Sequence, residues 1–424
     1  MIKKSNRKKV VHCILSDLCI SALFNPGFMV LVHAPMSCSN IIYNAIVNMQ
    51  RRIKLHFQRN LPVVTDKIFI TGISDKEAVF GGEALLKKSI KRVIEAKHPE
   101  CLLVIAGCTV GVIGDDVHGI CAGEEEKYNI PILAIAGAGF LSEQKNEAHL
   151  LLTKYLFNHV KDNTLDKDRQ TAVVLGLNRY LQTKKQEQEI KRLFAYFGYN
   201  RLILPPCGMT FNDIQKINVC SLIAVHAITK KKLLAYQSFA KELAEYLHVP
   251  VMQQVLPFSV EDTYLYLQNL GELCHKQKEA AQAVQAEKLR WQAACSELRK
   301  TLQGKKYILA ISYDLSVNNP LKLIELLACA DMQLTEIILL ASLTDKEASL
   351  YEEFFSEMKI TVPVIREGDA IKLPEHDVVL SSEVCNKFAV QYCYKRRRIG
   401  IGGAINFLQG VSQLLTSERS ICFE

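Results

Sequence analysis

Short β-branched and leucine-rich runs alternate with amphipathic stretches along almost the whole chain. Cys101–Ala106 is continuously apolar, the pattern of a strand buried on both faces. The next stretch, Asp115 to Tyr128, places Val117, Ile120, Cys121 and Tyr128 on one face of a helix, and Pro131 to Ala136 is apolar again. Strand, helix and strand at this spacing make a βαβ unit, which implies a parallel sheet with helices on its faces. The same alternation restarts at Thr171–Gly176. It continues through a helix ending near Tyr199, strands at Arg201–Pro205 and Val219–Val225, a helix to Leu247 and a strand at Pro250–Val255. A third restart comes at Lys306–Ile311, followed by a helix over Pro320–Asp331, a strand over Thr335–Ala341 and a helix from Asp345. Between the second and third series lies Gly271 to Gly304, rich in Ala, Glu, Gln and Lys and free of proline. That composition predicts one helix about 45 Å long. Leu273, Ala281, Val284, Leu289 and Leu298 keep no strict seven-residue seam, so the helix is read as packing on its own domain and not as a coiled coil. Gly402 to Leu415 is a final amphipathic helix.

The expected fold class is therefore α/β, with three Rossmann-like domains built on parallel sheets. The expected boundaries are domain I over 1–168, domain II over 169–270, a long connecting helix over 271–303 and domain III over 304–424. A length of 424 residues agrees with several cores and not one. At 49% hydrophobic and 23% charged residues, the composition is that of a globular chain.

Charge excludes more than it suggests. The formal net charge of +8 is modest for this length, and much of it sits in Lys3, Lys4, Arg7, Lys8, Lys9 and the run Lys395 to Arg398. No broad basic stripe with groove-reading elements is present, so no nucleic-acid partner is expected. No run of eighteen apolar residues occurs, so no membrane span is expected either. The basic start followed by Val10 to Leu15 mimics a secretory leader. Ser16 and Asp17 interrupt it without a nearby cleavage pattern, so it is read as a basic tail entering a buried segment of a cytoplasmic protein.

Fourteen cysteines are scattered without the dense, regular spacing of a disulfide scaffold. Most are expected to be small core residues, and Cys101 and Cys121 fall on apolar strand and helix positions. Cys207, Cys220, Cys274, Cys295, Cys329, Cys385, Cys393 and Cys422 show no metal-like pairing. Cys108 differs. It follows the strand Cys101–Ala106 in Gly107-Cys108-Thr109-Val110-Gly111-Val112-Ile113-Gly114-Asp115-Asp116, at the carboxyl end of a strand, where ligands of doubly wound sheets collect. Its glycines permit close backbone approach, and Asp115 or Asp116 can cap the next helix. Gly137-Ala138-Gly139 lacks the third glycine of a dinucleotide fingerprint and no Walker lysine follows it, which argues against a nucleotide-binding enzyme.

Five segments together resemble the nitrogenase component-1 superfamily. Asp75-Lys76-Glu77-Ala78-Val79-Phe80-Gly81-Gly82-Glu83, followed by Leu85, Lys87 and Lys88, resembles its "E-K-D-I-V-F-G-G" block. The Cys108 segment resembles "C-x-x-G-L-I-G-D-D-I", and His33-Ala34-Pro35-Met36-Ser37-Cys38 is similar to "H-G-P-x-G-C" with both glycines replaced. Leu302-Gln303-Gly304-Lys305-Lys306 is similar to an "L-x-G-K-R" entry into a third domain, and Arg398-Ile399-Gly400-Ile401-Gly402-Gly403-Ala404 resembles "R-x-G-Y-x-G-A".

The resemblance implies three cluster ligands, Cys13, Cys38 and Cys108, with Cys19 as the alternative to Cys13. It makes His33 a hydrogen-bonding neighbour and not a ligand. Soft, anionic thiolates suit iron–sulfur clusters, and a cubane takes four of them. Three from one chain imply a four-iron or larger bridging cluster shared with a homologous partner subunit. An iron-protein-like, ATP-dependent reductase is implied as electron donor. The resemblance places the ligands of the larger molybdenum–iron cofactor near Ala227 and Ile399, which have no donor side chains, and so argues against that cofactor bound in the usual way. The implied function is a reductase subunit relaying electrons through the cluster. The alternative is a cofactor-assembly scaffold of the same fold, without turnover of a final substrate.

Overall fold

A computed structural model describes residues 13–57, 65–135, 148–177, 184–226, 230–312, 319–368, 373–381, 388–394, 398–417 and 421–423. The basic tail, Gly137-Ala138-Gly139, Ala227, Cys385 and Lys395 to Arg397 lie outside them. The chain divides into two compact units. The first takes Met1–Gln182, Arg201–Ala224 and Ser238–Val249; the second takes Thr183–Asn200, Val225–Gln237 and Pro250–Glu424.

In the first unit, β1 (Phe28–His33), β2 (Ile68–Ile70), β3 (Cys101–Ala106) and β4 (Ile132–Ile135) form a sheet in the order β2-β1-β3-β4. All its described pairings are parallel. β3 has the bounds expected from its apolar run, and each of its six residues is buried. Helix Glu83–Lys97 covers the sheet with Leu86, Ile90, Val93 and Ile94, and helix Val117–Tyr128 with Val117, Ile120 and Cys121. These residues recur at the three- and four-residue steps that line one face of a helix. Further along, β5 (Asp168–Leu175), β6 (Arg201–Ile203) and β7 (Cys220–Val225) lie side by side as β6-β5-β7.

The register of the first sheet positions the site. Phe28 pairs with Cys101, and His33 pairs with Ala106. Parallel strands end on the same edge, so the segments leaving β1 and β3 emerge together. Cys38 and Cys108 sit on those two segments.

In the second unit, β8 (Val251–Val255) precedes helices Val260–Leu273 and Gln277–Leu302. There follow β9 (Lys306–Ile311), β10 (Gln333–Leu339), β11 (Val364–Arg366), β12 (Val378–Ser381), β13 (Gln391–Cys393) and β14 (Ile421–Phe423). The last six form one sheet, β11-β10-β9-β12-β13-β14, parallel at every described pairing. The helix expected over 271–303 begins only at Gln277. Helix Val260–Leu273 ends first, His275 takes a left-handed φ of 54°, and a Cβ on Gly271 would stand 2.3 Å from that of Ala280. The two helices thus fold back on each other tightly where glycine removes the obstruction. Helix Gln277–Leu302 buries Ala280, Ala283, Val284, Glu287, Trp291, Cys295 and Leu302, so it packs within its own unit.

Candidate metal centre

All three expected ligands stand at the start of a helix. Cys13 is the N-cap of helix Ile14–Leu23. Cys38 is the second residue of helix Ser37–Phe57, and Cys108 is the first residue of Cys108–Ile113, whose N-cap is Gly107. Unpaired N–H groups and the positive end of the helix dipole favour a thiolate at such positions. At Cys13 the nearby N–H groups of Leu15 and Ser16 favour the thiolate, while the Ser16 N–H donates to the Cys13 carbonyl at 3.1 Å and the sulfur makes no capping hydrogen bond. Helix Cys108–Ile113 is a difference from the sequence reading, which treats this segment as a loop.

The three thiols act on one another electrostatically. Burial pushes the Cys38 thiol up, and the charges of Cys108 and Cys13 push it further. Burial likewise raises Cys13, against the pull of its backbone donors and with a push from Cys108. Cys19 differs from them: it is fully buried, and burial, then the charge of Cys13, raise its thiol strongly. Cys13 stands at the N-cap of helix Ile14–Leu23, whereas Cys19 is enclosed within that helix. Cys38 and Cys108 are half-buried and retain an open side.

Among the described residues, no group of three or more His, Cys, Asp or Glu side chains closes around a point as a single-ion site would. A cubane holds its thiolates farther apart than a single ion does, and its fourth ligand need not come from the same chain. Three soft thiols within electrostatic reach, two of them partly open, fit an iron–sulfur cluster as a donor set. Cys101 and Cys121 are core residues, as expected. The Cys422 side chain lies outside the description. Ile399, at the expected position of a cofactor histidine, is buried and caps the last helix with no side-chain hydrogen bond.

The surroundings of these thiols are apolar yet exposed. Met36, Ile41 and Tyr43 lie within five residues of Cys38 along the chain and are exposed, while Val112 lies on the Cys108 helix and is 77% exposed. Val79 and Phe80, the latter 83% exposed, end helix Asp75–Phe80, which touches the Cys108 helix. Half of the large exposed hydrophobic side chains among the described residues belong to this group. This concentration of exposed apolar side chains in the segments that carry Cys38 and Cys108 makes them the candidate interaction surface. Sequence pattern does not reveal it, because an apolar residue reads the same whether it is core or contact.

Behind the thiols lies a polar network centred on His33, which is fully buried. His33 Nδ1 is 2.9 Å from Thr71 Oγ1, and Nε2 is 3.1 Å from Asp115 Oδ2. Asp115 Oδ1 accepts the Gly82 N–H at 2.9 Å. The adjacent Asp116 caps helix Val117–Tyr128 by accepting from Gly119. Of the two aspartates read as alternative caps, one caps and the other holds the histidine. The glycines replaced by Ala34 and Ser37 leave no strain, since neither residue has a positive φ. A Cβ on Gly107 would lie 3.0 Å from that of Ala34, so glycine at 107 leaves room for alanine at 34.

Comparison with known proteins gives a consistent result. The family model for Nitrogenase component 1 type Oxidoreductase matches residues 25–381. The chain is similar to the nitrogenase iron-molybdenum cofactor biosynthesis protein NifE of Clostridium pasteurianum, 26% identical over 65% of this chain and 57% of the relative. The NifE of Methanosarcina barkeri is 22% identical over 91% of this chain and 84% of its own length. The nitrogenase molybdenum-iron protein alpha chain of Methanosarcina barkeri is 26% identical over 40% of this chain and 31% of its own. The match thus spans little more than half of the first of these relatives. The solved structure of nitrogenase Cp1 at pH 5 superposes with a TM-score of 0.60 at 16% identity, covering 96% of this chain and 88% of that one. No helix among the described residues is long and apolar enough to cross a membrane.

Proposed function

The chain belongs to the nitrogenase component 1 type oxidoreductases, and on that footing we propose that it is a cofactor-assembly scaffold subunit holding an iron–sulfur cluster at a boundary with a homologous subunit, in the cytoplasm. Cys13, Cys38 and Cys108 are the ligands it contributes. Bound there, the cluster would supply a low-potential electron relay and an anchor for assembly chemistry. The observation carrying the reading is the incomplete thiol set opening into an exposed apolar surface: a shared cluster needs donors from outside, and Phe80, Val112 and Tyr43 offer a face that gains by being covered. The scaffold role is supported by the likeness to NifE proteins, which for that of Methanosarcina barkeri covers 91% of this chain, and by an apolar Ile399 at the expected cofactor-ligand position.

A second reading, a reductase subunit accepting electrons from an ATP-dependent iron protein, is favoured by the likeness to a molybdenum-iron protein alpha chain. Anaerobic co-purification with the partner separates the two. A scaffold passes iron and sulfide to a cluster-free acceptor and leaves a reduced iron protein unoxidised in the presence of candidate substrates. Substrate-dependent oxidation of the iron protein would favour the reductase, and a colourless, iron-free complex would remove both.

The apolar face has its own test. Phe80→Asp combined with Tyr43→Asp is expected to weaken partner binding at least tenfold, since exposed aromatic anchors dominate interface energies at about 2 kcal/mol or more each. Because both side chains are solvent-exposed, the melting temperature of the isolated chain should stay within about 2 °C of wild type. Unchanged co-sedimentation of the double variant with the partner would place the interface elsewhere.

A further inference from the structure

We infer that His33, held between Asp115 and Thr71, is a positioning residue that locks the Cys38 and Cys108 segments together so that their sulfurs meet one cluster. The inference rests on the reading of those cysteines as ligands. His33 ends β1, five residues before Cys38; Asp115 follows the Cys108 helix; Thr71 follows β2; and Gly82 opens helix Glu83–Lys97. One imidazole therefore ties the segments that leave three parallel strands. The backbone adds a parallel tie, with the Gly107 N–H donating to the His33 carbonyl at 2.9 Å.

The donors and acceptors assign the ring tautomer. Thr71 Oγ1 accepts from the Ala34 N–H at 3.2 Å, and for its own O–H the His33 Nδ1 at 2.9 Å is a much nearer acceptor than the Ala34 carbonyl at 3.5 Å. The Asp115 carboxylate only accepts, so Nε2 carries the proton. The ring is then neutral with both nitrogens used. Its burial disfavours the imidazolium and agrees with that state, His33 being held below its ordinary value by desolvation despite Asp115. Thr71 O–H to Nδ1, Nε2–H to Oδ2 and Gly82 N–H to Oδ1 run as one chain in a single direction.

Gly82 is small for a reason the network supplies. A Cβ there would come within 2.7 Å of Asp115 Oδ2 and 3.0 Å of the His33 ring. Its φ of −100° is one that any residue adopts, so the requirement is room and not conformation. Gly81, at φ +89°, supplies the turn. The paired glycines of this segment therefore do two separate jobs.

Two amides split the roles of the ring. His33→Gln places its amide near the Nε2 position and keeps the donor to Asp115. His33→Asn places its amide near Nδ1, keeps the Thr71 side and abandons Asp115. Since the Asp115 arm joins the two cysteine segments, His33→Asn should release iron to a chelator such as bathophenanthroline at least tenfold faster than wild type, the usual scale for an orienting partner behind a ligand. His33→Gln should stay within about threefold on the same scale. The EPR line shape of the reduced cluster should change in His33→Asn and match wild type in His33→Gln. Gly82→Ala, which displaces the network without removing a donor, should behave like His33→Asn. All are measured on the complex with its partner, alongside the melting temperature of the metal-free chain. Equal iron release from both His33 variants, or faster release from the Gln variant, overturns the inference while leaving the cluster reading intact. A wild-type complex that never takes up iron overturns both.

Discussion

The anaerobically assembled Cys108→Ala complex is expected to retain less than about a tenth of the wild-type iron, with its visible charge-transfer absorbance lost. Removing a ligand should exceed the tenfold to hundredfold effects seen when only a ligand's supporting hydrogen bond is removed. Of the three thiols, Cys108 belongs to the segment bound most directly to the sheet edge, through Gly107 to His33 and through Asp115. Cys38→Ala should behave alike. Cys19→Ala is the informative control. That thiol is fully buried with no open side, so its loss should cost stability as a small core cavity does and leave iron unchanged. Iron content and EPR of these variants and of Cys13→Ala decide the matter. Full iron in Cys108→Ala removes this residue from the ligand set, and loss of iron in Cys19→Ala with retention in Cys13→Ala exchanges the first ligand.

How much of this was readable beforehand depends on how local each cause is. β3 and β9 were bounded to the residue, because a continuous apolar run ends where the backbone meets polar turns. The parallel α/β character followed from alternation alone. Strand order did not: β14 arrives from Ile421 to pair with β13, and nothing in a local pattern specifies that partner. Helix Cys108–Ile113 is not legible in the sequence, because Cys-Thr-Val-Gly-Val-Ile has poor intrinsic helix propensity and its form is set by what surrounds it. The candidate ligand cysteines come from resemblance to a family, and the parallel pairing of β1 and β3 explains why the segments of two of them leave the same sheet edge. The histidine network joins residues 38 and 82 positions apart, beyond any periodicity. Its only traces in the sequence are the doubled aspartate at 115–116 and the doubled glycine at 81–82. Glu287 gives a parallel case: it sits in a charged, helix-favouring run that suggests solvent, yet it is buried completely.

That buried carboxylate underlies the second large effect, in the other compact unit. Arg192, on helix Lys184–Ala195, donates to both Glu189 and Glu287, the Glu189 contacts being 3.0 and 2.6 Å. Tyr196 Oη donates to Glu287 at 2.8 Å, and Arg290 reaches Glu189 at 3.1 Å. Glu189 in turn accepts the Gly402 N–H at 2.7 Å, at the start of helix Gly400–Thr416. Three helices are thus joined through two carboxylates and two guanidinium groups, with formal charges that cancel. Gly402 has to be glycine, since a Cβ there would lie 2.4 Å from Glu189 Oε2.

Arg192→Met keeps the length of the side chain and removes the charge. It leaves two buried carboxylates facing one guanidinium that is 39% exposed. Breaking a buried pair from one side costs about 3–5 kcal/mol, which lowers the melting temperature by roughly 10 °C in a domain of this size. The dependence on pH separates this cause from lost packing. Burial pushes the Glu189 carboxyl up, but Arg192, the Gly402 N–H and Arg290 together hold it below its ordinary value near 4.5. In the wild type it therefore stabilises the fold above that pH, and the contribution disappears as the pH falls through the depressed value. In Arg192→Met, burial prevails and the folded-state value rises, so the native state binds protons more readily than the unfolded chain. Stability of the variant then falls as pH rises, and the deficit should be largest near pH 7.5 and shrink toward pH 4.5. Adding Glu189→Gln and Glu287→Met to Arg192→Met should recover most of the loss, because an apolar or neutral set needs no counter-charge. Denaturant midpoints at the two pH values test this directly. A deficit equal at both would mean that Arg192 acts through the packing of its methylene stem and not through its charge.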